Sequence, residues 1–378
     1  MARILMSKAT VGPEEEEALI RAVRSGWVTP LGPEVDAFEA EICDRTGRQH
    51  ALALSSGTAA LHLALLELGA RPGTCVVVSS MTFAATANAV AYTGADAVFV
   101  DSRESDGNVD PHLMFDAIRT LQGEGREVVA AIPVDLFGRC VEYDVLEIGL
   151  AELGVPMLAD AAESLGATFK GRAAGAYGRA AAFSFNGNKI MTTSGGGMLV
   201  SDDAEMINRA RYLSTQARQP APWYEHTEIG YNYRMSNILA ALGRAQLVKL
   251  DRFVSRRREI RAMYVEAFGD IEGLRFLGSA EVVDGTADNC WLTAIDLGNA
   301  VGVTADEMVA HLDAQDIEGR HLWKPMHLQP VWGSARAFTT GASEGLFRRG
   351  VTLPSGYGLT DGEIEQVIES FRDRLVGA

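Results

Sequence analysis

The sequence predicts an α/β protein: a large domain built on a mostly parallel mixed sheet sandwiched by helices, followed by a smaller C-terminal α+β domain. Three observations predict it. From about residue 50 to residue 200, short apolar runs alternate with helical stretches, as expected for parallel strands buried on both faces. The length of 378 residues corresponds to about two domains at roughly 150 residues each. An apolar content of 47% is enough for a large core and argues against disorder.

The elements follow in order. Pro13, then Glu14 to Glu17 and Ala18-Leu19-Ile20, marks a helix start, because acidic residues in a first turn complement the helix dipole. Residues 51–54 form an apolar run. Residues 75–78, 97–100, 128–132 and 155–159 read as buried strands, with helices at 58–68, 83–92, 113–121 and 145–153 between them. Residues 180–185 and 198–201 add two strands that close the sheet. A long helical pattern covers 236–268, and Arg256-Arg257-Arg258 on it reads as a solvated face. A strand at 291–297 and helices at 304–314 and 361–375 make up the rest. The expected boundary puts the large domain, with the N-terminal segment, at 1–250 and the small one at 251–378. No internal repeat or low-complexity linker separates them, so the two are expected to pack closely.

Composition excludes several function classes. The 34 Lys+Arg against 50 Asp+Glu give −16, which disfavours nucleic acid or an anionic membrane as the main partner. It leaves room for a local anion pocket. The four cysteines, Cys43, Cys75, Cys140 and Cys290, show no CxxC spacing, so neither a zinc site nor a disulfide framework is expected. No apolar signal core opens the chain, and no run reaches the ~18 apolar residues of a membrane span. The expectation is a cytoplasmic protein with reduced thiols.

In open parallel sheets, ligands sit beyond the carboxyl ends of the strands, and four polar segments fall there. Ser55-Ser56-Gly57-Thr58 opens a helix, where free backbone amides and the dipole favour an anion; by itself the pattern is also an ordinary helix cap. Asp160 ends the strand 155–159 and either caps the next segment or pairs with a ring nitrogen or a metal. Lys189 lies between Ser184 and the glycine run Gly195-Gly196-Gly197. A lysine in that setting suits Schiff-base chemistry, and the glycines suit close passage of backbone past a bound group. Gly230-Tyr231-Asn232-Tyr233-Arg234-Met235 is a polar aromatic turn ahead of the long helix. A lysine, a ring-nitrogen partner and two phosphate-binding elements together match the needs of pyridoxal 5'-phosphate. Phe83 is either core or a ring stacked on that cofactor. His62, in an apolar helix, reads as packing. No dinucleotide glycine fingerprint, Walker loop, Gly-x-Ser-x-Gly or His-Glu-x-x-His is present, which disfavours a nicotinamide oxidoreductase.

These segments, with Gly26-Trp27-Val28-Thr29, Leu31-Gly32-Pro33, Thr82-Phe83-Ala84-Ala85-Thr86 and Asp160-Ala161-Ala162-Glu163, make the chain resemble the nucleotide-sugar aminotransferases of the DegT/DnrJ/StrS family. Those are pyridoxal-phosphate enzymes of the aspartate-aminotransferase fold, fold type I. The resemblance covers about residues 27–355. It implies that Lys189 is the Schiff-base lysine and proton shuttle, that Asp160 holds the pyridine nitrogen, and that Phe83 stacks on the ring. Gly57, Thr58 and Ser184 would bind the phosphate. Asn232 would reach the cofactor of a neighbouring subunit, which implies a homodimer with shared active sites. Glu163 occupies a position near the cofactor's 3′-oxygen that varies in the family. Leu213 to Arg218 and Trp323 to Pro330 resemble the branch related to bacillosamine synthesis. That branch uses L-glutamate to aminate carbon 4 of UDP-2-acetamido-2,6-dideoxy-4-keto-hexose. Phe185 to Lys189 is also similar to GDP-perosamine synthases, so GDP- and dTDP-linked keto-sugars remain alternatives. Thr29, Arg218, Arg234, Lys324 and His327 are the candidates for substrate contacts. A sugar dehydratase on the same fold is disfavoured by Lys189, and a non-catalytic regulator by the intact set of cofactor residues.

Overall fold

The computed structural model describes residues 3–299 and 301–376. One sheet organises the first two thirds of the chain. From one edge its strands are Ala337–Phe338, Asp96–Val100, Thr74–Ser79, Glu127–Ile132, Leu158–Asp160, Ala180–Ser184, Gly197–Ser201 and His50–Leu54. Parallel bridges Ala131–Met157 and Val134–Asp160 join its two halves. Every pairing is parallel except those of Gly197–Ser201, which runs antiparallel to both neighbours.

Strand alternation explains the two-sided burial. Cys75 and Val77 enter one apolar cluster with Phe38, Ile42 and Ile118. Val76 and Val78 enter another with Leu61, Leu65 and Val90. Successive side chains point to opposite faces, so a strand covered by helices on both sides must be apolar throughout. That is why these runs were legible.

Three expectations are corrected. The strand expected at 155–159 is ordered only over Leu158–Asp160, because Pro156 has no N–H to give a ladder; its carbonyl accepts from Ala131 N at 3.0 Å. The helical pattern 236–268 is two helices, Asn237–Val248 and Leu250–Phe268, which meet at Lys249. The Lys249 ammonium is drawn onto Glu14 and Glu15 of the first helix, Pro13–Arg24. Arg257 is not solvated: it is 2% exposed and donates to the carbonyls of Trp291 and Ser355 at 2.5 and 3.0 Å and to Ser7 Oγ at 3.0 Å. Its burial lowers its pKa to about 10. A triplet of arginines carries no signal of which one faces inward.

The second sheet is antiparallel, in the order Arg275–Leu277, Thr293–Asp296, Gly350–Leu353, Arg320–His321. Helices Leu250–Phe268, Ala305–Ala314 and Asp361–Val376 cover it, and Tyr264, Phe268, Met308, Leu312, Val351 and Phe371 share its core. Two connections tie it to the rest of the chain. At the N-terminus, Ile4 bridges Ile317, and Met6 O accepts from Ser355 N. Near the C-terminus, Ala337–Phe338 returns to the edge of the large sheet. Among the described residues no helix is long and apolar enough to cross a membrane.

Asp101 fastens that return strand. Its carboxylate accepts the amides of Thr340, Gly341 and Ser343, at the start of helix Ala342–Arg349, and that of Ser102. Burial pushes this carboxyl up, but the donors at Ser343, Ser102 and Thr340 outweigh it and hold it at about 2, against an ordinary 3.8. A depressed carboxyl contributes stability that is complete above its unfolded pKa and is lost as pH falls through the folded one. Asp101→Asn is therefore expected to cost about 2 kcal/mol at neutral pH. The deficit should shrink as pH drops from 3.8 toward 2. Urea unfolding of both proteins across that range checks it; a pH-independent deficit would refute the assignment.

Candidate active site

A cavity of about 410 Å³ opens where the parallel strands end, and three of the four polar segments, those of Gly57, Asp160 and Lys189, converge on it, while Gly230 to Met235 does not. Strand His50–Leu54 leads into helix Gly57–Glu67, whose start is capped by Ser56 Oγ accepting from Ala59 N at 3.0 Å. That cap leaves the amides of Gly57 and Thr58 available at a positive helix end. The glycines have a steric cause. A Cβ on Gly57 would lie 3.1 Å from Ser184 Cβ, and one on Gly197 would lie 2.4 Å from Gly57 N. The antiparallel strand, the strand carrying Ser184 and the helix start can crowd together only because no side chain intervenes.

Asp160 ends its strand 4% exposed. It accepts from Thr86 Oγ1 at 2.7 Å and Ala162 N at 3.1 Å. Burial dominates and pushes its carboxyl up, opposed by Thr86, Ala162 and the charge of Lys189. Glu163, also buried, accepts from Phe137 N at 2.7 Å and is likewise pushed up by burial, with Lys189 pulling the other way. Lys189 Nζ lies 3.3 Å from Glu163 Oε1 and 4.0 Å from the centre of the Trp291 ring. Trp291 is held in turn by its indole N–H on Asn188 O at 2.7 Å. Phe83 stays 57% exposed, an unusual state for a phenylalanine, with its edge toward Trp323. The cavity therefore has a buried acidic floor, one amine, an open aromatic face and a helix end with free amides.

The structure gathers Gly57, Thr58, Phe83, Asp160, Glu163, Ser184 and Lys189 around one cavity. It sets the other candidates elsewhere on the chain. Arg218, Asn232 and Arg234 line a separate concavity with Thr215 and Tyr224. There the Arg218 guanidinium covers the Tyr224 ring at 4.2 Å. Arg234 is buried 3.7 Å from Glu39, a carboxylate it shares with Arg211, and burial pushes its pKa down. Thr29 Oγ1 donates to Leu31 O at the surface. His327 is placed between Ser80 Oγ at 2.6 Å and Glu344 at 3.4 Å; neither it nor Lys324 lines the cavity. His62 is buried among the rings of Tyr92, Tyr231 and Tyr233, in keeping with a packing role. Sequence reasoning missed Thr86 as the partner of Asp160, and it missed Trp291, Trp323 and Arg320 in the cavity wall. Thr86 sits inside a motif already singled out. Trp323 opens a segment also singled out, though not for the cavity, whereas Trp291 and Arg320 come from a distant part of the chain with no local pattern.

The residues present fit pyridoxal phosphate. At Gly57 the missing side chain lets the helix start, with its free amides, lie against the strand that carries the Ser184 hydroxyl, a polar cradle suited to a phosphate. Asp160 is a buried acid bonded to a hydroxyl and an amide but to no cation, the complement of a protonated ring nitrogen. Lys189 supplies the amine.

Comparison with known proteins agrees. The signature of the DegT/DnrJ/EryC1/StrS aminotransferase family matches residues 9–372. EpsN of Bacillus subtilis (strain 168), named as a proposed pyridoxal phosphate-dependent aminotransferase, is 44% identical, with 97% of this chain and 94% of that protein covered. The GDP-perosamine synthase of Caulobacter vibrioides is 33% identical, covering 100% of this chain and 99% of its own. Among solved structures, the PLP form of Spr1654 from Streptococcus pneumoniae, a proposed sugar aminotransferase, superposes with a TM-score of 0.90 at 25% identity over 99% of each chain. The chain belongs to the DegT/DnrJ/EryC1/StrS family and is a pyridoxal-phosphate-dependent sugar aminotransferase.

Proposed function

We propose that the protein transfers the amino group of L-glutamate to carbon 4 of a nucleotide-linked 4-keto-6-deoxy sugar, with UDP-2-acetamido-2,6-dideoxy-4-keto-hexose as the preferred acceptor. The observation that carries the transfer chemistry is Lys189 Nζ poised 3.3 Å from Glu163 in the cavity that Asp160 floors. The UDP sugar is supported by the Leu213–Arg218 and Trp323–Pro330 segments. A GDP-linked acceptor is the second reading, favoured by the full-length match to a GDP-perosamine synthase.

Pyridoxal phosphate, when bound, supplies an electron sink that makes the donor's α-hydrogen acidic. The chain's own residues do the rest. Lys189 anchors the cofactor and, once released, carries the proton, taking it from the donor's α-carbon as general base. Glu163 orients the amine by accepting its hydrogen bond. Asp160 balances the positive ring nitrogen: alone it is an expensive buried charge, so pairing is strongly favoured. Thr86 fixes its direction. Gly57, Thr58 and Ser184 hold the phosphate, and Trp291 and Trp323 keep water out. Asn232 acts on the partner subunit's cofactor in a homodimer. The support for that arrangement is a concavity apart from its own Lys189 cavity, in a chain that leaves Trp27, Val28, Leu31, Tyr224 and Ile229 exposed. Thr29, Arg218, Arg234, Lys324 and His327 remain candidates for substrate contacts, Arg234 with its charge already matched by Glu39.

Lys189→Ala is expected to lose the yellow absorbance of the lysine-bound cofactor and at least ~10²-fold in turnover; a yellow, active variant would refute the scheme. Asp160→Asn separates stability from function. The raised pKa of Asp160 means that the cofactor-free protein loses stability as pH rises from the ordinary carboxyl range through the folded pKa. The asparagine variant lacks that loss. Its apo form should melt at or above the wild-type temperature at neutral pH, while turnover falls at least ~10²-fold because the ring nitrogen loses its counter-charge. A less stable but active variant would overturn this role. Supplying UDP-, dTDP- and GDP-linked 4-keto-6-deoxy sugars with L-glutamate and identifying the product by mass spectrometry tests the acceptor. A faster reaction with GDP sugar would replace the UDP reading.

A further inference from the structure

We propose that Trp291 is a further catalytic residue of the amino transfer: the face of its indole ring receives the Lys189 ammonium each time that lysine takes the proton from the donor's α-carbon. The proposal deepens the aminotransferase reading and rests on its assignment of Lys189.

The need arises from charge. When Lys189 acts as base, the donor's α C–H bond breaks and its electron pair passes to the cofactor's electron sink, while a new N–H bond turns Nζ from amine into ammonium. A cation thus appears beside a buried wall that holds Asp160 and Glu163. Asp160 is taken up by the ring nitrogen. Glu163 lies 3.3 Å from Nζ, but burial pushes its carboxyl up, so a full negative charge there is costly. An aromatic face stabilises a cation without burying an anion, and tryptophan does so best among the aromatic side chains.

The geometry suits the task. Lys189 Nζ lies 4.0 Å from the centre of the Trp291 ring, within the range of a cation–π contact. Trp291 lines the cavity yet is 1% exposed, so little water competes for the ammonium at that face. Hydrogen bonds fix the ring from both ends. Its indole N–H donates to Asn188 O at 2.7 Å, on the residue that precedes Lys189. Its backbone N–H donates to Asn289 Oδ1 at 2.8 Å, and its carbonyl accepts from the buried Arg257 at 2.5 Å. Asn289 Nδ2 in turn donates to Glu163 O at 2.8 Å. One buried amide therefore ties together the backbone of both groups that meet Nζ, the ring and the carboxylate. The ring is preorganised where the positive charge develops, which is what makes an electrostatic contact useful in a reaction.

The test uses Trp291→Leu, which removes the aromatic face, and Trp291→Phe, which keeps a weaker one. Two measurements are expected to move in opposite directions. In the first, cofactor-free protein is mixed with saturating pyridoxal phosphate near neutral pH and the rise of the yellow absorbance is timed. The neutral amine of Lys189 attacks the aldehyde and water leaves. Without the ring the ammonium form is less favoured, so Trp291→Leu should turn yellow at least ~3-fold faster. In the second, the loss of that absorbance with saturating L-glutamate times the donor half-reaction. Trp291→Leu should be at least ~3-fold slower there, and slower still with α-deuterated glutamate, since proton removal is the step affected. Trp291→Phe should fall between wild type and Trp291→Leu in both. A ring that only packs would, when removed, loosen the site and slow both measurements. That result would overturn the proposal, as would either measurement left unchanged. A wild-type protein that does not turn yellow, or whose yellow form responds to no amino acid, would instead refute the aminotransferase reading, so the two failures are separable.

Discussion

Two buried acids and one amine share a single cavity, and the rest of the site is arranged around that imbalance. Asp160 and Glu163 both have carboxyls pushed up by burial, with Lys189 as their one common counter-charge. An isolated pocket of this kind would be a liability, since removing carboxylates from water costs several kcal/mol each. The cost becomes useful when a cationic ring nitrogen arrives, because the same burial makes the pairing strong.

The scaffold meets these demands with backbone more than with charge. The −16 of the whole chain describes its solvated exterior and says little about the ligand. The helix start at the cavity depends on close approach: Gly197 lets the antiparallel strand run against Ser56 and Gly57, and Gly57 lets the helix start meet Ser184. Rigidity comes from the surrounding hydrogen bonds. Thr86 and Ala162 fix Asp160, Asn188 fixes Trp291, and Asp101 ties the return strand to the sheet edge. Those ties hold the second sheet, which carries Arg320, against the first, which carries Asp160 and Ser184.

Much of this was legible in the sequence, for physical reasons particular to each part. Strands covered on both faces must be apolar along their whole length, so 75–78 and 97–100 stood out. Residues at or just past strand ends face the cavity and not the apolar core, so Asp160, Ser184 and Lys189 appeared as polar breaks in an apolar pattern. Other features left no local trace. Lys249, where the helical pattern breaks, pairs with Glu14 and Glu15, some 235 residues away in sequence. The burial of Arg257 follows from carbonyls at Trp291 and Ser355 that only the folded chain presents.

By itself, then, the sequence determined the class of fold and the family and marked the polar segments that line the cavity, because each rests on residues close together in the chain. The tertiary structure decided which side chains wall the cavity and how the charged ones are paired. Arg320, Trp291 and Trp323 reach Lys189 across more than a hundred residues, while Arg234 and His327 are occupied by Glu39, Ser80 and Glu344. Whether a charge is available depends on what neutralises it in space. That partner is set by how the second sheet closes on the first, a relation that no local pattern of residues encodes.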